Sequence, residues 1–415
     1  MDTSRLDTYA ELLVHGGLHI RRGQKLVIRS STGQAPLVRA VAAAAYAAGA
    51  ATIRIDWNDQ AIERLAWLHE SEDRLAEIEP WWLARQAQDA DQATAILYLN
   101  DSDPEGLADV DSQLMMRVRQ RRFPVIKPII ERSENRYVWV IAAAASPAWA
   151  GRVYPDLTPE AATARLWERI LESVHMQPDD DGATAAARWN RHQARLAERG
   201  RRLTALGLVE VRYRSANGTD FRSGLIPGAL WMGGGETTLD GKPFSPNMPT
   251  EEIFTSPRRG DADGWLVATK PLSLSGQLVD DFRIRFADGR AVEWTAGSGQ
   301  DALDALIALD EGAAFLGELA LVPQSSPIQQ AGILFHNTLF DENASCHVAL
   351  GRGFSNLLPN HEKLSKEEQT ALGLNDSMTH VDFMIGSSDL AVDGVLPDGS
   401  LIPILRDGEW VGDFA

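Results

Sequence analysis

The chain has 415 residues, with 58 acidic and 40 basic side chains and a formal net charge of −18 at pH 7. A chain longer than about 250–300 residues usually exceeds one hydrophobic core, so we predict two domains. The negative charge argues against sequence-independent nucleic-acid binding, which needs Lys and Arg to neutralise phosphates. A hydrophobic content of 44% and a charged content of 24% are typical of a folded globular protein rather than a disordered one.

Cysteine content and apolar patterning bear on the cellular location. The single cysteine, Cys346, allows neither an intramolecular disulfide nor a thiolate metal cage. The N-terminal residues have no basic segment followed by an apolar stretch, and no apolar run reaches the roughly 18 residues of a membrane span. We therefore predict a cytoplasmic protein that interacts with neither membranes nor nucleic acid.

The N-terminal part of the chain alternates short β-branched runs with helical patterns, as a βαβ arrangement does. Its predicted elements are strands at 26–29, 52–56, 95–99 and 137–141 and helices at 36–48 and 108–121. Alternating strands and helices usually form a parallel sheet, so we predict an α/β N-terminal domain with a mostly parallel sheet over residues 1–180. The glycines at 16, 17 and 33 do not have the spacing of a dinucleotide-binding loop.

The pattern changes in the second half of the chain. Residues 159–206 read as two helices joined by an Asp-rich loop, a plausible interdomain connector. From residue 208 onward, strands alternate with tight-turn signals at Asp288-Gly289 and Asp398-Gly399, and one helix is predicted near 299–313. We predict an α+β C-terminal domain over residues 181–415.

His380 and Asp382 form the most informative local pattern. They lie two residues apart in a strand-like run, so both side chains point to the same face of a sheet, while Val381 and Phe383 point into a core. Imidazole nitrogen and carboxylate oxygen together suit zinc, manganese, cobalt or iron. A hydrogen-bonded His–Asp pair on a sheet surface is the alternative explanation of this segment alone.

Other acidic residues occupy positions where acids are usually unfavourable. Glu318 interrupts an apolar strand, where an unpaired buried carboxylate is costly and a cation would relieve the cost. Glu342 precedes a short strand headed by His347, so the two can reach one site. The pair Glu251-Glu252 follows a Pro-Thr turn that can direct one of the two carboxylates inward. Spacing alone does not show which glutamate points inward, and it does not exclude that both are solvated.

These segments resemble the M29 metallopeptidases, the thermophilic aminopeptidase family that includes aminopeptidases T and S. The resemblance spans nearly the whole chain, and its segments are 247–255, 269–272, 317–323, 337–345 and the strand containing His380 and Asp382. It implies a dinuclear site for two divalent ions such as zinc, cobalt or manganese. The implied ligands are Glu252, Glu318, Glu342, His347, His380 and Asp382, with Glu318 as the bridge.

The resemblance also implies an activity: release of N-terminal amino acids from peptides with a free N-terminus, by a homodimer. Glu318 or Glu342 is then the expected proton acceptor, because a ligated histidine is not free to act as a base. Asp341 or His336 is expected to orient ligands. One position departs from the family, since Phe354 stands where its aminopeptidases usually have tyrosine, and Arg352 or a backbone amide would have to replace that phenol.

Two other functions are compatible with parts of this pattern. His347, His380 and Asp382 also make up the two-histidine, one-carboxylate set of mononuclear iron(II) ring-cleaving dioxygenases, some of which resemble the same peptidase family. Such a site has no need of three further glutamates, which favours hydrolysis. A metal-stabilised binding protein without catalytic activity is a third hypothesis, and failure to hydrolyse short peptides with metals bound would favour it.

Overall fold

The computed structural model describes residues 2–133, 136–274 and 277–415. Within these ranges no helix is both long and apolar enough to cross a bilayer. The α-helices are α1 Thr3–Leu12, α2 Ala35–Ala47, α3 Gln60–His69, α4 Glu72–Ala76, α5 Pro80–Asp91, α6 Ser112–Ser133, α7 Pro147–Val153, α8 Pro159–Ser173, α9 Gly182–Ala205, α10 Gln300–Ile307, α11 Pro327–Gln330, α12 Thr338–Glu342 and α13 Lys366–Ala371.

The strands are concentrated in the second half of the chain. They are β1 Lys25–Ser31, β2 Thr52–Asn58, β3 Ala95–Asn100, β4 Trp139–Ala143, β5 Glu210–Arg214, β6 Asp220–Leu225, β7 Met232–Gly233, β8 Glu236–Thr237, β9 Pro243–Phe244, β10 Asn247–Met248, β11 Ile253–Thr255, β12 Pro257–Val267, β13 Leu272–Leu274, β14 Gln277–Ala287, β15 Arg290–Ser298, β16 Leu316–Leu321, β17 His347–Gly351, β18 His380–Met384, β19 Ala391–Val395, β20 Leu401–Arg406 and β21 Glu409–Trp410.

The backbone divides into two compact units. Unit 1 comprises Met1–Gln193 and Gly235–Pro249, and unit 2 comprises Ala194–Gly234 and Thr250–Ala415. The chain passes from unit 1 to unit 2 after Gln193, within α9, and the segment Gly235–Pro249 belongs again to unit 1. The domain boundary between residues 180 and 181 stays a prediction.

Unit 1 contains the predicted parallel sheet, in the strand order β10-β4-β3-β1-β2. Strand β1 shows why the sheet forms, because Leu26, Val27 and Ile28 are consecutive and all buried, as expected of a strand covered on both faces. The sequence pattern did not reveal β10, whose two residues pair with β4 in parallel. The helix predicted at 108–121 begins and ends later, as α6, since residues 104–109 form turns.

Unit 2 contains two larger antiparallel sheets. One has the order β18-β17-β16-β11-β7, and the other runs β13-β14-β12-β6-β5-β19-β20-β21, with β15 paired to β14. Buried side chains of both sheets form one hydrophobic cluster, in which the rings of Phe282 and Phe383 lie 5.5 Å apart. The helix predicted near 299–313 is shorter, since α10 ends at Ile307. The five-stranded sheet therefore has one face fixed against a core and the other face free for polar side chains.

Gly351 ends strand β17 in a conformation that other residues rarely adopt. Its φ angle is 107°, and a β-carbon there would lie 2.1 Å from the carbonyl oxygen of Thr379. Gly399, in the turn between β19 and β20, has a φ of 85°, but a β-carbon at that position would have no neighbouring atom within 4 Å. A side chain at either glycine would strain the backbone, but only at Gly351 would it also clash with a neighbouring atom.

We predict that Gly351→Ala destabilises the protein by about 3 kcal/mol, because backbone strain and overpacking add. The matched variant Gly399→Ala should cost about 1 kcal/mol, from backbone strain alone. Thermal unfolding of both variants, followed by circular dichroism, measures the difference. Equal losses of unfolding temperature would contradict the assigned clash at Gly351.

Candidate metal centre

The free face of the five-stranded sheet carries a row of three residues across three strands. Glu318 on β16 is opposite Ala349 on β17, and Ala349 is opposite Asp382 on β18. Directly opposed residues of antiparallel strands point to the same face, so both carboxylates project from the same side of the sheet. The methyl group of Ala349 leaves space between them.

Two histidines flank this row on the same face. His380 Nε2 lies 3.0 Å from Glu318 Oε2 and 3.4 Å from Asp382 Oδ1. His347 Nε2 lies 3.1 Å from Oε2 of Glu252, the residue that precedes β11. The alternation inferred from the sequence thus holds in β18, because Phe383 is buried in the core behind the sheet.

The side chains form two groups whose possible ligand atoms lie within 4.8 Å of one another. Glu252, Glu318 and His347 make up the first group, and Glu318, His380 and Asp382 the second. Glu318 is common to both. Five of the six predicted residues are therefore brought together by contacts at coordination range.

Glu342 is the sixth predicted residue and lies at the end of helix α12. It does not belong to either close group, but its side chain is electrostatically coupled to Asp382, Glu252, His347 and Glu318. Helix α12 packs beside β18, which brings this carboxylate towards the same face. Glu342 thus lies next to the cluster rather than within hydrogen-bonding distance of its members.

Asn343 connects two of the segments that carry these acids. Its buried side-chain carbonyl accepts a hydrogen bond from the backbone N–H of Glu251 at 2.7 Å, and its amide donates to the carbonyl of Leu339 at 3.0 Å. The turn before β11 is thereby tied to helix α12. The residue pattern assigned no role to Asn343, which lies in the polar turn before β17.

Both histidines are oriented through their other ring nitrogen. His347 Nδ1 lies 3.0 Å from the carbonyl oxygen of Ser345, and His380 Nδ1 lies 2.7 Å from that of Arg352. A carbonyl only accepts, so each Nδ1 carries the donated proton and each Nε2 faces the carboxylates. This is the arrangement that metal-ligating histidines usually show. Arg352 contributes its main chain here, while its side chain is exposed.

The electrostatics of the cluster favour added positive charge. Burial raises the pKa of Glu318 to about 7, despite the opposing hydrogen bond from His380. Burial and neighbouring carboxylates raise the pKa of Glu342 well above its usual value. Burial lowers the pKa of His347, but the hydrogen bond to Glu252 and nearby carboxylates outweigh it and raise that pKa to about 10.

The donor set fits divalent cations. Asp382 Oδ1 is buried and, among the described residues, has no hydrogen bond of good geometry, although His380 Nε2 lies 3.4 Å away. An unsatisfied buried carboxylate oxygen is costly unless a proton or a cation binds it. Carboxylate oxygens and imidazole nitrogens without thiolates suit zinc, cobalt or manganese.

Phe354 packs directly against the cluster. Its ring centroid lies 4.9 Å from that of His380 and 5.5 Å from that of Phe254, and its backbone N–H donates to Ser256 Oγ at 2.9 Å. The position singled out by its departure from the family is thus adjacent to a predicted ligand. Its side chain offers no hydrogen-bond donor there.

Asp341 contacts the backbone of the loop that precedes helix α12. Its carboxylate accepts backbone N–H groups of Phe335 at 2.8 Å and Asn337 at 3.0 Å. Between them His336 adopts a left-handed backbone with a φ of 53°. These bonds fix the loop before helix α12, whose last residue is Glu342, so the contact of Asp341 with an implied ligand is made through the backbone.

Comparison with known proteins identifies the family of this chain. Residues 2–410 match the family of thermophilic metalloproteases (M29). Aminopeptidase 2 of Geobacillus stearothermophilus is 39% identical over 412 residues, which cover 99% of this chain and 98% of that protein. Aminopeptidase T of Thermus aquaticus is 36% identical over 410 residues, or 99% of each chain.

Two solved structures are similar to this chain, one at high and one at low sequence identity. Wild-type AmpT from Thermus thermophilus superimposes with a TM-score of 0.90 at 35% identity, covering 98% of this chain and 99% of that one. The 2,5-dihydroxypyridine dioxygenase of Pseudomonas putida KT2440 has a TM-score of 0.53 at 12% identity over nearly the full length of both chains, and shares the fold alone. The resemblance inferred from the sequence is confirmed: this chain belongs to the M29 family of metalloproteases.

Proposed function

We propose that the protein is an aminopeptidase that binds two divalent cations and releases N-terminal residues from peptides. The observation that carries the proposal is the position of Glu318, which belongs to both groups of possible ligand atoms. A carboxylate common to two groups is suited to bridge two ions. The aminopeptidase names of the full-length relatives support the reaction.

Charge balance supports two ions rather than one. The cluster contains four carboxylates, those of Glu252, Glu318, Glu342 and Asp382, and two histidines. Four ionised carboxylates balance two divalent cations, whereas one cation would leave buried negative charge uncompensated. Zinc, cobalt and manganese all suit this donor set.

The residues of the chain then divide the work of hydrolysis. Glu252 and His347 would hold one ion, His380 and Asp382 would hold the other, and Glu318 belongs to both groups of possible ligand atoms. Divalent cations held by these residues would supply a water of lowered pKa and a Lewis acid for the scissile carbonyl. Glu342 lies beside the cluster and is assigned as the acceptor of the water proton, with Glu318 as the alternative.

Specificity for the N-terminus follows from ligation. A free α-amine that has lost its proton can ligate a divalent cation, whereas the nitrogen of a blocked amide is a poor ligand because its lone pair is delocalised. Substrates are therefore peptides with a free N-terminus. A cytoplasmic location, consistent with a single buried thiol, and a homodimer complete the proposal.

A mononuclear iron dioxygenase is the second candidate. His347, His380 and Asp382 supply its ligand triad, and the shared fold with the dihydroxypyridine dioxygenase makes the architecture compatible. A single ion does not account for Glu318 between the two histidines or for Glu252 at 3.1 Å from His347. The hydrolytic proposal uses all six side chains.

Metal content separates the two candidates. We expect two zinc, cobalt or manganese ions per purified chain by mass spectrometry, and loss of peptidase activity on chelation. Removal should also lower the unfolding temperature, since the clustered carboxylates then repel one another. One iron per chain, with dioxygen uptake on a dihydroxylated aromatic ring, would overturn the hydrolytic proposal.

Substitution of Glu318 tests the bridge. We predict that Glu318→Gln lowers kcat by about 10³-fold or more, because the amide cannot bridge two cations and the loss affects the chemical step. Metal content should fall while circular dichroism stays that of the wild type. Glu362→Gln, at an exposed glutamate, is the control and should retain full activity. Undiminished turnover by Glu318→Gln would exclude the assigned role.

Blocked substrates test the direction of cleavage. We expect unblocked di- and tripeptides to lose their N-terminal residue and the N-acetylated forms of the same peptides to stay intact, because acetylation removes the amine. Chromatography of the products measures both. Release of any amino acid or fragment from the blocked peptides would contradict the requirement for a free N-terminus.

A further inference from the structure

The orientation of the His380 ring depends on one main-chain carbonyl group. His380 Nδ1 donates to the carbonyl oxygen of Arg352 at 2.7 Å, which leaves Nε2 facing the carboxylates of the cluster. Arg352 lies between Gly351 and Gly353, and glycine restricts the backbone less than any other residue. The direction of this carbonyl must therefore be fixed by hydrogen bonds rather than by local backbone preference.

The peptide groups on both sides of the Arg352 α-carbon are bonded to one residue, Asn375. In the first peptide group, the carbonyl of Gly351 accepts a hydrogen bond from Asn375 Nδ2 at 2.6 Å. In the second, the N–H of Gly353 donates to the main-chain carbonyl of Asn375 at 2.9 Å. A peptide group is planar, so a bond to its N–H also fixes the direction of its C=O. The C=O of the second group is the carbonyl of Arg352 that accepts from His380.

The side chain of Asn375 is held by its donor end. It is 1% exposed, and Nδ2 also donates to the carbonyl of Gly312 at 2.9 Å. Both of its partners are carbonyls, which only accept, so the amide nitrogen must face them. The buried Oδ1 has no hydrogen-bond partner within the described ranges. The two N–H groups of the amide thus account for an asparagine here, and they join the backbone before Arg352 to a separate segment of the chain.

Asn343 provides a comparison on the same side of unit 2. It is 0% exposed and also makes two side-chain hydrogen bonds to the main chain, but its partners are Glu251 and Leu339. The two asparagines therefore carry similar structural loads. Only Asn375 bonds to the peptide groups that orient His380.

We propose that Asn375 is a positioning residue for the divalent cation that His380 and Asp382 would hold. It acts through the carbonyl of Arg352, which fixes the plane of the His380 ring and keeps the proton on Nδ1. Groups that orient a metal-ligating histidine in this way typically contribute about 10- to 100-fold to metal affinity. The inference rests on the metal-binding part of the proposed function and adds a residue to it.

The test compares Asn375→Ala, which removes both side-chain donors, with the matched variant Asn343→Ala in the full chain. Each protein is labelled with ¹⁵N-histidine and loaded with zinc, and NMR measures hydrogen exchange of the Nδ1–H groups of His380 and His347. The variant His380→Ala assigns the first signal. We expect the His380 proton to exchange about 10-fold faster or more in Asn375→Ala, because the carbonyl that accepts it is less firmly held. The His347 proton should change little, and Asn343→Ala should leave the His380 proton as in the wild type.

Calorimetric titration of the metal-free proteins with zinc gives a second readout. We expect one of the two zinc affinities to fall about 10- to 100-fold in Asn375→Ala. Asn375→Ser should lose less, because its hydroxyl can donate one hydrogen bond, and it takes the place of Asn375→Ala if that variant does not fold.

Two results would overturn the role of Asn375. One is unchanged exchange of the His380 proton, or unchanged zinc affinity, in the Asn375 variants. The other is equal acceleration of exchange at His380 and His347, since a general loosening of the fold and not the orientation of one ring would then explain the loss.

The two proposals fail in different ways. A wild type that binds two zinc ions but cleaves no unblocked peptide overturns the aminopeptidase reaction and leaves the test of Asn375 intact. A wild type that binds no zinc overturns the metal centre itself. An active wild type whose zinc affinity and His380 exchange are matched by Asn375→Ala overturns only the role of Asn375.

Discussion

Burial of acidic side chains together on one sheet face is the constraint on which unit 2 depends. Glu252 and Glu318 are 8% and 5% exposed, and each lies at hydrogen-bonding distance from a histidine. Grouping carboxylates in this way is unfavourable by both desolvation and repulsion. The surrounding structure has to hold the carboxylates together. Several residues that are not themselves possible ligands contribute to this.

Packing of the opposite face of the sheet against the hydrophobic core is the first contribution. Residues on the opposite face of β16, β17 and β18 pack into the large cluster shared with the second antiparallel sheet, so the strands cannot easily separate to relieve repulsion. Ala349 keeps the space between Glu318 and Asp382 open, and Gly351 permits a tight end to β17. The buried amide of Asn343 ties the turn before β11 to helix α12.

The same scaffold is compatible with different chemistry, as the fold shared with a dioxygenase indicates. What distinguishes this chain is the set of side chains on the sheet face and not the sheet itself. The additional glutamates around the two histidines are the difference that matters here. Phe354, whose ring packs against that of His380, is the position where this chain departs from the arrangement that its family resemblance implies.

The sequence by itself determined the element types wherever a periodic pattern was long or a strand was continuously apolar, as in β1, α2 and the pair of helices α8 and α9. It also identified His380 and Asp382, because a period of two fixes their common face whatever the partner strands are. Glu252 and Glu342 depended on family resemblance, since no local pattern selects one acid of a pair or one acid of a turn.

Tertiary structure alone decided which distant segments meet. Strand β10 joins the parallel sheet of unit 1 from residues 247–248, and such short pairings leave no periodic trace in a sequence. The register of β16, β17 and β18 brings Glu318 opposite Ala349 and Asp382, and register is set by long-range packing rather than by local preference. For the same reason the role of Asn343 became apparent only from its contact with the distant backbone of Glu251.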